Sequence, residues 1–296
     1  KSNKTLLAIL TGKHSTLEAE QALNRAGVPV FTYPDQVGPA LKGLWDHKEY
    51  LDSPKFEQIK VKSVDKNKMV AALKLVGERK AVGEYESRIM LEAYDIPNVP
   101  GDLATNADEA VEIAKICGYP VVLKIVAEGL LHKSDAGGIK LNIKSDEELR
   151  VAFDNLVAHI AKVEPSAEIK GAMVERMAAK GQEVIVGMRR DATFGPMMMF
   201  GMGGTMVELL KDIAFKIAPL SREDILAMIN ETIAGRLLKG FRGSKPADME
   251  AVVDVIARLS QLAIDNPKIS EIEINPLIVY PEGEGVMAID SRAILK

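Results

Sequence analysis

A lysine, a histidine and a pair of glycines lie close together in the chain and could bind and transfer phosphate. Lys124 lies in an apolar run over residues 121–126, which predicts a buried strand, and His132, Gly137 and Gly138 follow it. A buried ammonium group is costly unless an anion pairs with it, and adjacent glycines let backbone amides approach an anion. A neutral imidazole can accept a phosphoryl group and release it near neutral pH. These residue types therefore indicate phosphate chemistry.

Each of these residues also has a plain structural explanation. Lys124 would reach solvent if its strand lay at the edge of a sheet. Gly137 and Gly138 could form an ordinary hairpin turn. A lone His132 could be a surface or hydrogen-bonded side chain. The choice between these explanations depends on polar residues further along the chain.

A second polar group lies near the C-terminus, in an alternating strand pattern over residues 271–277. Alternation places Glu271, Glu273 and Asn275 on one face of this strand, with apolar residues on the other. Carboxylate and amide oxygens are the ligands that suit Mg²⁺ when phosphate and water complete its coordination shell. A polar strand face in solvent is the alternative.

Two further charged residues can join this group if the chain turns back. Residues 281–285 contain two glycines and two glutamates and predict an exposed turn, so that the next strand would form a hairpin with the first. Asp290, at the end of that strand, would then face Asn275. Arg292 would supply the positive charge that a transferring phosphoryl group needs.

The elements that must position these residues begin with alternating strands and helices. Apolar periodicity predicts two strands and two helices in the first part of the chain, over residues 5–10, 28–31, 16–26 and 35–45. This β-α-β-α order is typical of half of a doubly wound α/β sheet, and two parallel strands bury too little surface to stand alone. Polar residues at 52–54 and 62–68 predict a linker.

The rest of the chain predicts an α+β arrangement. Helices are predicted over residues 83–95 and 106–117, and two more begin after Ser145 and Ser221, where acidic residues follow a capping serine. Strands are predicted over residues 171–177, 182–189 and 197–200. The predicted fold class is therefore α/β for the first part and α+β for the remainder.

The composition excludes several classes of partner. The chain has 296 residues, is 47% hydrophobic and has a net charge of −4 with both signs interspersed, so no nucleic-acid-binding surface is indicated. No apolar run reaches the roughly 20 residues of a membrane span, and the N-terminus is unlike a signal peptide. The single cysteine, Cys117, fits a reducing compartment. We therefore expect a cytoplasmic protein without nucleic-acid or membrane partners.

The order and spacing of the motifs resemble those of one enzyme family. The motifs lie at residues 83–87, 118–124, 132–138, 174–177, 181–183, 191–196, 201–208, 273–276 and 290–292. From residue 64 to residue 296 the chain thereby resembles the ATP-grasp region of the NDP-forming acyl-CoA synthetases, relatives of succinyl-CoA ligase. The glycine-rich run over residues 201–204, taken alone, would fit a flexible loop.

The resemblance implies an ATP-grasp domain of two subdomains that holds ATP between two antiparallel sheets. Lys124 would contact the α- and β-phosphates, and residues 174–177 would line the adenine pocket. Glu175 and Glu183 would contact adenine and ribose or order nearby basic groups, although each could also be a surface carboxylate. The residues at the family's ATP-binding positions are Lys124, Gly137, Gly138, Val174, Glu175, Met177 and Glu183.

The resemblance also implies catalytic and metal-binding roles. His132 matches the histidine that carries a phosphoryl group between ADP and a second histidine in the CoA-binding part of ADP-forming acetyl-CoA synthetases. Glu273 matches the glutamate that steadies the phosphohistidine, and Arg292 matches an arginine that steadies phosphate. Asn275 and Asp290 match the magnesium ligands. The implied cofactors are ATP or ADP and Mg²⁺, with CoA bound by domains outside this chain.

The implied function is the nucleotide-binding, phosphoryl-transferring part of an acid-CoA ligase. The reaction converts acyl-CoA, ADP and phosphate into a carboxylic acid, CoA and ATP, or runs in reverse. Residues 1–60 resemble the end of the flavodoxin-like subdomain that precedes the family's ATP-grasp region, here residues 61–296. We expect a piece or subunit of a longer synthetase that works in an oligomer with CoA-binding and flavodoxin-like domains. A regulatory module of an acetyltransferase-type protein and a carboxylate-amine ligase are the alternatives.

Overall fold

Strands form three sheets in the computed structural model, which describes residues 4–12, 16–52, 57–130, 133, 136–204, 212–241 and 243–296. The chain divides into two compact units, Lys1–Phe56 and Glu57–Lys296. The first unit holds one of these sheets and the second unit holds the other two. No helix within the described ranges is long and apolar enough to cross a membrane.

In the first unit, two short parallel strands are each followed by a helix. The elements are β1 (Ala8–Ile9), α1 (Leu17–Arg25), β2 (Val30–Phe31) and α2 (Pro34–Asp52). The predicted β-α-β-α order is confirmed, although each strand has only two residues. None of the residues of α1 is buried, and Trp45 of α2 is 63% exposed. The described part of this unit therefore has little apolar core of its own.

The linker predicted at residues 62–68 is wrong over its last three residues, because a helix begins there. α3 (Lys66–Val76) follows Asp65, whose carboxylate accepts hydrogen bonds from two amides of the first helical turn, both at 3.0 Å. The first turn of α3 is polar and therefore resembles a linker in sequence. The apolar face of the helix, formed by Met69, Ala72 and Val76, begins only after that turn. Likewise, α2 continues through Asp52, inside the first predicted linker segment.

The second unit contains two antiparallel sheets and the helices that cover them. Its elements after α3 are β3 (Ala81–Val82), α4 (Glu84–Ala93), β4 (Gly101–Ala104), α5 (Ala107–Cys117), β5 (Val121–Glu128), β6 (Ile139–Ile143), α6 (Asp146–Val163), β7 (Glu168–Arg176), β8 (Gln182–Asp191), β9 (Gly195–Met202), β10 (Ile213–Ile217), α7 (Arg222–Asn230), α8 (Ile233–Leu238), α9 (Met249–Asp265), β11 (Ile269–Val279), β12 (Val286–Ala288) and β13 (Ser291–Leu295). The helix starts predicted after Ser145 and Ser221 are confirmed, since each serine side chain accepts an amide hydrogen bond from the third helical residue.

The smaller sheet has the order β4-β7-β5-β6, and its strands pair antiparallel. Leu123, Ile125 and Val174 point to one face and pack with buried residues of α5 and α6. Side chains alternate along a strand, so Lys124 and Glu175 project from the opposite face. The register between β5 and β7 places Glu175 opposite Val122, and Val122 lies two residues from Lys124 on the same face of β5. The side chains of Lys124 and Glu175 are therefore neighbours.

The larger sheet has the order β10-β9-β8-β11-β13-β3, with β12 paired to β11. One face, which includes Phe200 and Ile272, packs in a separate apolar core with residues of α3, α4, α7, α8 and α9. On the other face, Glu273 of β11 lies between Gly187 of β8 and Arg292 of β13. Each sheet therefore has one face in an apolar core and one face that carries polar residues.

Candidate active site

Glu84, the first residue of α4, contacts two lysines with its carboxylate. Oε1 accepts a hydrogen bond from Lys124 Nζ at 2.6 Å, and Oε2 accepts one from Lys133 Nζ at 2.8 Å. Burial raises the pKa of Glu84, but the charges and hydrogen bonds of both lysines outweigh it and hold the pKa below its ordinary value. Glu84 is therefore an ionised carboxylate that joins α4 to β5 and to the segment that follows β5.

Lys124 is buried in the smaller sheet and has no unused hydrogen-bond donor. β5 lies between β7 and β6, so the edge-strand explanation for Lys124 is wrong. Its three ammonium hydrogens have three acceptors: Glu84 Oε1, Glu175 Oε2 at 2.8 Å and the carbonyl oxygen of Ile289 at 2.6 Å. Burial alone lowers the pKa of Lys124, but the charges of Glu84, Glu175 and Asp290 raise it above its ordinary value. Lys124 therefore stays protonated.

Glu175 is the second carboxylate on this face, and its side chain is only 5% exposed, so the surface explanation for it is wrong. Its Oε1 accepts a hydrogen bond from Arg88 Nη1 at 2.9 Å. Burial raises the pKa of Glu175; Lys124 opposes this rise and Glu84 adds to it. Both oxygens of Glu175 contact basic groups, which supports the ordering role that the sequence left open rather than a contact with adenine.

Asn275 and Asp290, the predicted magnesium ligands, are held together by the backbone. The backbone N–H of Asn275 donates a hydrogen bond to the backbone carbonyl of Asp290 at 3.0 Å. The predicted hairpin between β11 and β12 is confirmed. The strand register shifts between Ile274 and Leu277, a bulge that surrounds Asn275. Burial, with a further contribution from Glu84, raises the pKa of Asp290 to about 6.

The side chains of Asn275 and Asp290 can supply only part of the coordination shell of a metal ion. Asn275 Oδ1 accepts a hydrogen bond from the Gly204 amide at 2.9 Å. Among the described residues, no group of three or more His, Cys, Asp or Glu side chains could hold a metal ion. An ion at Asn275 and Asp290 would therefore take most of its ligands from phosphate and water, as Mg²⁺ commonly does.

Glu273 and Arg292 lie opposite each other on β11 and β13. Arg292 Nε is 2.7 Å from Glu273 Oε1, and the two side chains are 69% and 26% exposed, respectively. The side chain of Arg292 is thus engaged by a carboxylate at the sheet surface. An exposed ion pair of this kind contributes little stability and can rearrange when a ligand binds.

Gly137 and Gly138 end the connection between β5 and β6. The connection runs from residue 129 to residue 138, so the hairpin-turn explanation of these glycines is wrong. Gly138 donates its amide to the Lys133 carbonyl at 2.7 Å, and a Cβ there would lie 2.6 Å from Cγ2 of Ile125. Gly137 has φ +70°, a region that favours glycine. The Gly138 amide is therefore used within the connection.

His132 lies outside the described residues, as do its neighbours Leu131, Ser134 and Asp135 and the second half of the glycine-rich motif, residues 205–208. One histidine to which the sequence gave no role does contact the connection. His159 of α6 has its Nε2 3.1 Å from the carbonyl oxygen of Ala136.

The remaining predicted nucleotide ligands lie on different surfaces. The Val174 side chain packs in the core of the smaller sheet, so only its backbone is available to a ligand. Met177 follows β7, is partly exposed and donates its amide to the Pro120 carbonyl at 2.9 Å. Glu183 is exposed on β8 of the other sheet, and its carbonyl accepts the Gly203 amide at 3.2 Å.

Glu84 and Lys133 lie within the sequence motifs at residues 83–87 and 132–138, but the sequence predicted no role for either of them or for Arg88. A signal for Glu84 exists in α4. Glu84, Ser87 and Leu91 are buried at the i, i+3, i+7 spacing of one helical face, so an acidic residue stands where an apolar one is usual. A charged residue on a buried helical face predicts a charged partner.

Comparison with known proteins identifies relatives over most of the chain. Residues 74–295 match the ATP-grasp domain family. The β subunit of ADP-forming acetate-CoA ligase I from Pyrococcus furiosus is 45% identical over 222 residues, which are 75% of this chain and 95% of that subunit. The ADP-forming acetate-CoA ligase I from Archaeoglobus fulgidus is 39% identical over 293 residues, 99% of this chain but only 42% of the relative. The chain therefore spans less than half of this longer relative.

A solved structure agrees with this assignment. It is acetyl-coenzyme A synthetase 1 from Ca. Korarchaeum cryptofilum, described as dinucleotide-forming, in complex with coenzyme A and Mg-AMPPCP and with its phosphohistidine segment pointing towards the nucleotide-binding site. It is 39% identical to this chain, covers 77% of it and 98% of the solved chain, and has a TM-score of 0.67. The expected fold and family are confirmed: the chain belongs to the ATP-grasp family, in the branch that forms the nucleotide-binding part of ADP-forming acyl-CoA ligases.

Proposed function

We propose that this chain binds ATP and transfers its γ-phosphoryl group to His132 as one half of an ADP-forming acid-CoA ligase. Family membership supports the reaction class. The observation that carries the proposal is a convergence of cations and hard oxygen donors beside one buried carboxylate: Lys124, Lys133, Asn275, Asp290 and Glu84. A nucleotide polyphosphate with its divalent cation presents the complementary charges.

Asn275 Oδ1 and the Asp290 carboxylate fit Mg²⁺ in donor type. Asp290 is a carboxylate whose ionised form is disfavoured by burial, and a bound cation would favour it. A carbonyl oxygen has two lone pairs, so Asn275 can keep its hydrogen bond from Gly204 and still bind an ion. When bound, Mg²⁺ would neutralise phosphate charge and align the transferring group.

His132 would take part in covalent phosphoryl transfer. An imidazole nitrogen lone pair attacks the γ-phosphorus of ATP, and an N–P bond forms while the bond between phosphorus and the ADP oxygen breaks. ADP leaves with that electron pair, and the reverse step regenerates ATP. Glu273 would accept a hydrogen bond from the other ring nitrogen, and Arg292 would exchange its ion pair with Glu273 for the phosphoryl oxygens.

Lys124 and the residues around it would form the nucleotide site. Lys124 would lie against the α- and β-phosphates, with Gly137 and Gly138 shaping the connection beside them. The backbone near Val174 and Met177 would border adenine, and Glu183 would lie on the side of the larger sheet. Glu175 would act by orienting Lys124.

The thioester half of the reaction would require other domains. The chain spans 42% of its full-length Archaeoglobus relative, and we propose that CoA-binding and flavodoxin-like domains, on the same polypeptide or a separate subunit, bind CoA and the small carboxylic acid. Residues 1–60 would end the flavodoxin-like domain, and residues 61–296 would form the ATP-grasp domain. We expect the complete enzyme to be a cytoplasmic oligomer.

The proposal is tested by incubating the purified chain with Mg²⁺ and γ-labelled ATP. We expect acid-labile, base-stable phosphate on His132, and its loss in His132→Ala and Asp290→Ala. His47→Ala is the matched control, because His47 lies in the first unit on α2 and should leave the label unchanged.

The alternatives give different results in the same assay. A carboxylate-amine ligase would bind ATP without labelling any histidine. A regulatory module would bind ligand and remain unlabelled even with the CoA-binding domains added. Label that appears only when those domains are added would keep the phosphohistidine and show that they complete the site.

A further inference from the structure

Glu84 bridges two lysines that come from different parts of the chain. Lys124 belongs to β5, and Lys133 belongs to the connection after it, yet each pairs with one oxygen of the same carboxylate. The Glu84 and Lys124 side chains are 4% and 7% exposed, whereas Lys133 is 20% exposed. Of the two lysines, Lys133 is therefore the more accessible to a ligand.

The two lysines also differ in how many of their hydrogen-bond donors are engaged by described residues. Lys124 uses its three donors on Glu84, Glu175 and the Ile289 carbonyl. In the part of the chain that the structure describes, the ammonium group of Lys133 has one partner, Glu84. An ammonium group has three donors; among the described residues Glu84 engages one donor of Lys133, whereas all three donors of Lys124 are engaged.

The charges around Glu84 limit how phosphate can enter. Three cations and three carboxylates lie together: Lys124, Lys133, Arg88, Glu84, Glu175 and Asp290. An entering phosphate adds negative charge to a balanced group, and the Glu84 carboxylate competes with it for lysine. Lys133, which has the more exposed side chain of the two lysines and a single partner among the described residues, can turn to phosphate without leaving an ammonium group buried and unpaired.

We propose that Lys133 is a phosphate-binding residue and that Glu84 is its positioning residue, a counterion that nucleotide phosphate replaces. Glu84 holds Lys133 beside Lys124 before the nucleotide arrives. Because phosphate must replace Glu84 as the partner of Lys133, a stronger ion pair between Glu84 and Lys133 weakens phosphate binding. The inference rests on the proposed function, because it assigns residues within the same nucleotide site.

Calorimetric titration of the chain with adenosine, AMP, ADP and ATP, in the presence of Mg²⁺, tests both assignments. Lys133→Met should weaken ADP and ATP binding roughly tenfold, as expected for the loss of a charge-assisted contact, and should leave adenosine unchanged. Lys133→Arg should restore most of the affinity. Glu84→Gln should tighten ATP roughly threefold or more, because the competing charge is removed.

A double-mutant cycle links the two residues. In the Lys133→Met background, Glu84→Gln should no longer tighten ATP, because the cation that it competed for is absent. Two controls separate this effect from general changes of charge. Lys140→Met removes an exposed lysine on β6, and Glu86→Gln breaks the Arg79 ion pair on α4; both should bind ATP as the wild type does.

The outcomes separate this inference from the proposed function. If the wild-type chain binds ATP and Lys133→Met binds it with the same affinity, the inference is overturned and the proposed function stays intact. Equal weakening of adenosine and ATP in Lys133→Met also overturns it, since the lysine would then only maintain the fold. Failure of the wild-type chain to bind ATP overturns the proposed function itself. Lys133→Met keeps the test valid if Glu84→Gln does not fold.

Discussion

Two groups of ion pairs carry the proposed phosphate chemistry, and they differ in their exposure to water. On the smaller sheet, Lys124 and Glu175 are 7% and 5% exposed, and each has more than one charged partner. On the larger sheet, Arg292 and Glu273 form an ion pair with 69% of the arginine exposed. Removing one member of a buried pair leaves an uncompensated charge, whereas an exposed pair is screened. Folding therefore fixes the first group, and a ligand can rearrange the second.

Lys124→Met should give the largest effect, because it leaves Glu84 and Glu175 facing each other without the cation between them. We expect the free energy of unfolding to fall by about 3–5 kcal/mol, measured by urea denaturation. Lys115→Met is the control: its ion pair with Glu112, at 2.8 Å, is exposed and should cost no more than about 0.5 kcal/mol. Equal losses in the two variants would remove the distinction between buried and exposed pairs.

Gly138→Ala tests whether close packing holds the connection between β5 and β6 next to the buried ion pairs of Lys124. The added methyl would lie 2.6 Å from Ile125 Cγ2 and 2.9 Å from the Lys133 carbonyl, so the connection must shift. We expect a loss of about 2–3 kcal/mol and weaker histidine labelling. Gly38→Ala in α2 is the control, since no described atom outside its own stretch of helix backbone lies within 4 Å of the new methyl. Undiminished stability and labelling in Gly138→Ala would show that the connection tolerates the shift.

Asp290→Asn should stabilise the metal-free chain above pH 6. The pKa of Asp290 is raised from an ordinary value of 3.8 to about 6, so the folded chain binds more protons than the unfolded chain between these values. Wild-type stability should therefore fall as pH rises through this window, and the variant should gain about 1–2 kcal/mol above it. Thermal unfolding in EDTA at pH 4.5 and pH 8 measures this. A constant difference between the two pH values would contradict the assignment to Asp290.

Arg292→Ala should give the smallest change in stability, under about 1 kcal/mol, because the pair is exposed. Histidine labelling should nevertheless fall roughly tenfold if Arg292 neutralises phosphoryl oxygens. Arg189, which pairs with Glu271 at 3.2 Å on the same sheet, supplies the control, and Arg189→Ala should label normally. A large loss of stability in Arg292→Ala would place its pair in the same class as the Lys124 group.

Local periodicity predicted much of the second unit. The helix over residues 106–117 and the strand over residues 182–189 are present within two residues at each end, because their apolar positions repeat with the period of the element. In the first unit, the strands predicted over residues 5–10 and 28–31 are shorter. Apolar composition indicates where a strand can form but not how far a partner strand accompanies it.

The site was only partly predictable, because its contacts join distant parts of the chain. Lys124 was recognised as a buried cation that needs an anion, but a pattern within β5 cannot identify that anion. Two of its acceptors, Glu84 and the Ile289 carbonyl, lie 40 and 165 residues away in sequence. The polar hairpin near Asp290 was recognised because its turn and strands are adjacent in sequence. Tertiary pairing supplied the rest.

The separation of the two apolar cores has a consequence for local unfolding. One core lies under the smaller sheet with α5 and α6, and the other lies under the larger sheet with α3, α4, α7, α8 and α9. Cooperative units of hydrogen exchange commonly follow such divisions, so backbone amides of β5 and β7 can exchange through an opening that leaves β8 and β11 protected. A nucleotide that contacts both sheets would abolish that route, and exchange rates would then report occupancy of the proposed nucleotide site without any measurement of turnover.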